Sequence, residues 1–262
     1  RRHTRYISVT GVQTCALPIF DNVTDSQIQE ILGKSYEITN DYAKVKECDF
    51  VSVVVPTPVD DKDRPDLTIL KSALTSVVKY LKPGAVVIVE STIAPGSTRN
   101  DLWPIIQKSP YANEIGLAYS PERIDPTISN WNVVNTPKLI AGIDQRSLDK
   151  ALGFYKLFIN DLRPGTSLET IEAAKLLENT FRLVNISFIN EFANFCENFG
   201  INVKEVLDAA ASKPYGFMPF YPSAGVGGHC IPVDPGYLAQ TARDTGSDRK
   251  STRLNSSHTD IS

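Results

Sequence analysis

The stretch Ala224–Pro235, AGVGGHCIPVDP, sets a thiol between flexible backbone and a carboxylate. Gly225, Gly227 and Gly228 allow a sharp turn and a close approach to a ligand. Cys230 follows at once, and a helix starting there would favour the thiolate, the nucleophilic form of the side chain. Asp234 stands four residues on, on the same face if the segment is helical. The same letters also spell a buried structural cysteine, and that alternative stays open. Lys175 and Asn179 stand at i, i+4 with apolar neighbours, so one helix face carries an amine and an amide suited to proton transfer. The alternative is a solvated charged face, and Glu172 and Glu178 read as surface residues. Thr92 ends a strand, and Glu122 follows another through Ser120 and Pro121. Open α/β sheets place ligands at such strand ends, although a lone carboxylate there serves equally to cap a loop.

The elements that must hold these groups have two different periods. Asp49–Val59, DFVSVVVPTPV, reads as a buried strand stopped by Pro56 and Pro58. A helix is expected over about Asp66–Leu81, a strand over Ala85–Thr92, and a short helix over about Ser97–Gln107. GLAYSPE and Lys138–Ile143 read as further strands. Strands alternating with helical crossovers imply a parallel, doubly wound sheet. From Thr166 a long amphipathic helix runs to Gly200, with Ile171, Ala174, Leu177, Phe181, Val184, Phe188 and Phe192 on one stripe. A helix over about Val203–Ser212 follows, and Lys213–Tyr237 reads as an ordered loop. The domain change is expected near Asn160–Thr166.

Composition bounds the function. The 262 residues carry 27 Lys+Arg against 30 Asp+Glu and are 42% hydrophobic, the balance of a soluble globular protein. The slight negative charge argues against a nucleic-acid binder. No apolar run reaches the roughly 20 residues of a membrane helix, and no signal peptide is visible, so the cytoplasm is the expected compartment. Both ends read as non-native. Asp248–His258, DRKSTRLNSSH, can be encoded by a DNA segment whose reverse complement translates as VTGVQTCALPI, the sequence of Val9–Ile19. Such pairing marks translated sequencing adapter on residues 1–19 and 248–262. Phe20–Ser247 then holds 21 basic and 28 acidic residues, with Cys48, Cys196 and Cys230 as cysteines and His229 as the sole histidine. That set offers no disulfide framework and no His-rich or Cys-rich metal site.

VPTP ending at Pro58, ESTIAPGST, YSPERIDP, EAAKLLENTFRLVN, KPYGFMPFYPSAG and GVGGHCIPVDP occur in one order along Phe20–Ser247. Together they resemble the UDP-glucose/GDP-mannose 6-dehydrogenase family, and most closely its branch acting on UDP-N-acetylglucosamine or UDP-N-acetylmannosamine. The resemblance implies an incomplete Rossmann-like parallel sheet over 20–165 and an all-helical central domain over 166–247, entered by the long helix. It implies NAD as cofactor, a UDP-linked sugar as substrate, and a homodimer formed through the helical domain. It implies oxidation of a sugar C6 alcohol to a carboxylate in two steps, for surface polysaccharide. Cys230 would trap the aldehyde as a thiohemiacetal and then carry a thioester. Glu122 would activate the hydrolytic water. Lys175 and Asn179 would stabilise oxyanions, Lys175 or Asp234 would move a proton, and Thr92 would orient a water. Pro56, Thr57, Thr92 and Cys230 would meet the cofactor. Glu122, Lys175, Asn179, Phe220, Tyr221 and Gly227 would meet the sugar.

The chain departs from the family pattern in three places. Pro126 stands where some relatives have a second acidic residue. The first strand and GxGxxG loop that hold the NAD pyrophosphate are not expected here, nor is the further α/β domain that holds UDP. The chain as written is therefore expected to be inactive. Competing readings are a single-step β-hydroxyacid dehydrogenase, which needs no cysteine, a UDP-glucose or GDP-mannose substrate, and a non-catalytic α/β dimerisation fragment.

Overall fold

The computed structural model of the chain describes residues 6–9, 25–61, 64–125, 130–227 and 230–247. Its strands are β1 (Tyr6–Val9), β2 (Tyr36–Thr39), β3 (Phe50–Val53), β4 (Val86–Val89), β5 (Gly116–Tyr119), β6 (Lys138–Gly142) and β7 (Leu162–Pro164). Its α-helices are α1 (Asp25–Ile31), α2 (Thr68–Val78), α3 (Trp103–Ile106), α4 (Gln145–Tyr155), α5 (Leu168–Phe199), α6 (Val203–Ala211) and α7 (Cys230–Asp244). They divide between two compact units. The first takes the chain up to Pro56, Leu67–Ser91 and Gly96–Ile171; the second takes Thr57–Asp66, Thr92–Pro95 and the chain from Glu172 on.

The first unit is built on a five-stranded sheet in the order β3-β4-β5-β6-β7. β3, β4 and β5 run parallel. Every residue of β4 and of β5 is buried. A strand covered on both faces must be apolar without alternation, which is why VVIV reads so clearly in the sequence. β6 departs from expectation by pairing antiparallel to β5. A parallel return needs a crossover, usually helical, and the described residues between these two strands contain no helix. β7 then pairs parallel to β6, with α4 as its crossover. α4 starts at Asp144, whose side chain accepts the Ser147 amide at 2.7 Å. Its Ala151 and Tyr155 join Val86, Ile88, Ala118, Ile140 and Ile159 in the core. Burying each of the Val and Ile side chains stabilises by about 1.5–3 kcal/mol.

Local chemistry explains two other differences. Where one short helix is expected, Thr98–Leu102 forms a π-helical turn leading into α3, and the Trp103 amide donates to the Thr98 carbonyl. Pro104 has no amide to give Asn100, so an unbroken α-helix would lose a bond at that point. Ahead of Phe20 no strand is expected, yet β1 pairs in parallel with β2, Tyr6 opposite Tyr36 and Val9 opposite Thr39. YISV is rich in strand-forming residues and needs only a neighbouring edge to pair with.

The second unit is helical. α5 ends before Gly200, and Asn202 caps α6 by accepting the Lys204 amide at 2.9 Å. The buried line of α5 in this unit runs through Glu172, Leu176, Asn179, Leu183, Ile189 and Cys196. The expected apolar stripe lies beside it and is largely open: Leu177 is 65% exposed, Phe181 45% and Phe188 61%. α5 is apolar around most of its girth, so periodicity alone did not identify the buried face. Glu172, expected at the surface, is fully buried. The segment read as loop to Tyr237 instead becomes α7 from Cys230. Pro232 and Pro235 disguise it in sequence; Pro232 stands in the first turn, where its missing amide would be unpaired anyway, whereas Pro235 lies inside the helix and has no amide to give the Ile231 carbonyl.

Candidate active site

In the second unit α5 and α7 meet through a polar pair. Asn179 and Asp234 are 7% and 3% exposed, and Asn179 Nδ2 donates to Asp234 Oδ2. A carboxylate this deep must be hydrogen-bonded, and the i, i+4 relation of Asn179 to Lys175 puts a half-buried ammonium one turn away. Glu172 precedes Lys175 by three residues, also on this face. Cys230 is the first residue of α7, one turn ahead of Asp234, so the helix start anticipated for it is present. Its side chain, with Gly228 and His229, lies outside the described residues. Gly225 and Gly227 have φ of 120° and 66°, values that favour glycine, and a Cβ at either would meet no atom within 4 Å. Their glycines therefore answer to backbone conformation rather than to crowding. Phe220 is half-buried, with its ring 5.8 Å edge-on to Phe181 of α5, while Tyr221 is 55% exposed.

The strand ends are tied by hydroxyls. In the first unit Ser91 Oγ accepts the Val55 amide at 2.9 Å and donates to the Val55 carbonyl at 2.7 Å, prolonging the β3–β4 pairing up to exposed Pro56. In the second, Thr57 Oγ1 donates to the Thr92 carbonyl at 2.8 Å. Tyr237, wholly buried, donates its phenol to the Thr57 carbonyl at 2.9 Å and to that of Pro58 at 3.2 Å. Burial pushes the Tyr237 phenol up to about 12. Sequence reading missed this residue. Its only signal was an aromatic three positions after Asp234, meaningful once α7 is known to be a helix.

Glu122 belongs to the first unit and is exposed. Its Oε1 accepts the amides of Arg123 and Ile124, both at 2.7 Å, which is loop-capping geometry. Its Oε2 lies 3.8 Å from Lys138 Nζ, which also pairs with Glu90 at 2.8 Å. Tyr155 donates to Glu90 at 2.9 Å, and burial, with the Glu90 carboxylate beside it, drives its phenol far above the usual range. The described residues hold no group of three or more His, Cys, Asp or Glu able to bind a metal ion. They also hold no helix long and apolar enough to cross a membrane.

A mainly parallel α/β sheet followed by a helical unit is an architecture of dinucleotide-linked dehydrogenases as a class. The chain belongs to the UDP-glucose/GDP-mannose dehydrogenase family: residues 7–159 match its NAD binding domain and residues 169–258 its central domain. Among curated relatives, the UDP-N-acetyl-D-glucosamine 6-dehydrogenase of Pseudomonas aeruginosa is 39% identical over 206 residues, 77% of this chain and 48% of that protein. A UDP-D-ManNAc dehydrogenase structure from Pyrococcus horikoshii superposes with a TM-score of 0.74 at 33% identity, covering 85% of this chain and 53% of that one. The 3-hydroxyisobutyrate dehydrogenase of Mycobacterium tuberculosis shares the fold alone, with a TM-score of 0.63 at 16% identity over 87% of this chain and 77% of its own. The chain spans about half the length of the two UDP-sugar dehydrogenase relatives.

Proposed function

We propose that the parent protein oxidises the C6 alcohol of a UDP-N-acetylhexosamine to the carboxylate in two NAD-linked steps. The observation that carries this reading is the buried Asn179–Asp234 pair, one turn from Lys175 on α5 and one turn from Cys230 on α7. The first oxidation yields a C6 aldehyde. The Cys230 thiolate adds to its carbon, and the oxygen becomes the hydroxyl of a thiohemiacetal. Loss of a hydride and a proton turns this into a thioester. Water then adds, the thiolate leaves, and the acid departs. Lys175 and Asn179 donate to the oxyanions of the tetrahedral states, and Asp234 orients Asn179. Lys175 or Asp234 takes the alcohol proton, Thr92 orients a water, and Glu122 activates the hydrolytic one. Phe220, Tyr221 and Gly227 line the sugar.

NAD, when bound, accepts one hydride in each oxidation. Pro56, Thr57 and Thr92 follow β3 and β4 at their carboxyl ends, where an open sheet takes a dinucleotide, and these residues fit its nicotinamide end. A GxGxxG pyrophosphate loop is not in the sequence. The partner proposed for the open ridge of α5 is a second copy of the chain, and the compartment proposed is the cytoplasm. The terminal segments 1–19 and 248–262 are proposed to be translated adapter.

The test is a panel of UDP-N-acetylglucosamine, UDP-N-acetylmannosamine, UDP-glucose and GDP-mannose with the full-length enzyme. Two NADH per N-acetylated sugar supports the proposal. One NADH per substrate points to single-step chemistry and overturns it, and preference for UDP-glucose or GDP-mannose overturns the substrate class.

A further inference from the structure

We infer that Tyr237 is a positioning residue that locks the Thr57 and Thr92 loops to the helix bearing Cys230. It rests on the function proposed above, because it assigns those loops to the cofactor and that helix to the nucleophile.

Thr57–Asp66 is a small closed loop within the second unit. Val59 bridges Pro65, the Asp60 amide donates to the Arg64 carbonyl at 2.8 Å, and the Asp66 amide donates to the Pro58 carbonyl at 2.9 Å. The Tyr237 phenol reaches the base of this loop at the Thr57 and Pro58 carbonyls. Thr57 in turn holds the Thr92 carbonyl through its hydroxyl at 2.8 Å. On the other side, Tyr237 lies one turn after Asp234, which is bonded to Asn179. One run of contacts thus joins Thr92, Thr57, Tyr237, Asp234 and Asn179. Without the phenol, α7 would keep its own bond to α5 and lose its hydroxyl tie to the Thr57 loop. Hydride transfer is sensitive to misplacement of about 1 Å, so a loosened loop costs rate even where every reacting group remains.

Tyr237→Phe removes a single oxygen and keeps the buried ring. Hydrogen exchange on the 262-residue chain reads the tie without cofactor. The amides of Ile93 and Ala94 and of Val59 and Asp60 should exchange about five- to tenfold faster in the variant, the size expected for one lost buried hydrogen bond. Unchanged exchange overturns the tie, whatever the enzyme does. In the full-length enzyme the variant should lower kcat and raise KM for NAD, each by about fivefold or more, while KM for the sugar nucleotide stays within twofold. Faster exchange without that split makes Tyr237 a stabilising residue only and overturns the positioning role. Thr57→Val cuts the next contact; the pair of substitutions together should cost less than the product of their separate effects, and full multiplicativity overturns the coupled path. Single-step turnover by the unsubstituted enzyme would instead sink the proposed function and leave the exchange result standing.

Discussion

Cys230 and Asp234 are separated by one helical turn, and their proposed roles are separable by experiment. Cys230→Ser should abolish thioester formation, so that acid production falls by at least about 10³-fold, as expected when a covalent nucleophile is lost. Full two-step turnover by that variant, followed as two NADH per sugar, excludes the nucleophile. Glu122→Gln should slow hydrolysis by about 10²–10⁴-fold and let an acyl-enzyme accumulate, visible as added mass on the Cys230 peptide. Asn179→Leu removes a donor from the buried Asp234 carboxylate. Stability in urea should fall by about 1–3 kcal/mol, and an unchanged midpoint would deny the bond its weight. The two buried phenols give a pH prediction. Tyr155 and Tyr237 both have raised folded-state values, Tyr237 about 12, because burial disfavours the phenolate. The unfolded chain loses these protons near pH 10 and the folded chain later, so their contribution is complete below about pH 10 and declines above it. Thermal unfolding between about pH 9 and 12 should show this fall, with a shallower slope in Tyr237→Phe.

α5 shows that the apolar stripe of an amphipathic helix need not be its buried face. Leu176, Asn179 and Leu183 point inward, while Leu177, Phe181, Val184, Phe188, Phe195 and Phe199 remain open. The rings of Phe188, Phe192, Phe195 and Phe199 stack at 6.4, 5.6 and 5.7 Å along this ridge. A continuous apolar ridge of this length is costly to leave in water and suits a self-complementary contact. Phe188→Glu should convert the proposed homodimer to monomer in sedimentation; an unchanged mass for both proteins would remove α5 from the interface. α4 and α7 were overlooked for different reasons. α4 is short and polar on one side, its start marked mainly by Asp144. In α7, Pro232 and Pro235 look like loop letters because proline is usually incompatible with a helix interior, and Gly236 because its backbone freedom disfavours one. In the first turn, where Pro232 stands, the proline restriction is tolerated.

At the scale of the molecule, the chain falls into two units that do not divide at a single point in the sequence. Thr57–Asp66 and Thr92–Pro95 leave the sheet-bearing part and join the helical one. Genomic resequencing of the parent gene tests the adapter proposal: native codons other than those of Val9–Ile19 and Asp248–His258 should flank Phe20 and Ser247, and finding those same codons in the genome refutes it. Much of this protein could be read from local letters. β4 and β5 are buried on both faces, so their composition has no freedom to disguise them, and the i, i+4 spacing of Lys175 and Asn179 survives any packing of α5. The motifs that carry the family resemblance were likewise legible from their letters. Packing settled the rest: the antiparallel return of β6, the burial of Glu172, the outward ridge of α5 and the reach of Tyr237 to the Thr57 carbonyl. Each of these depends on which neighbour arrives from far along the chain, and one-dimensional spacing carries no information about that arrival.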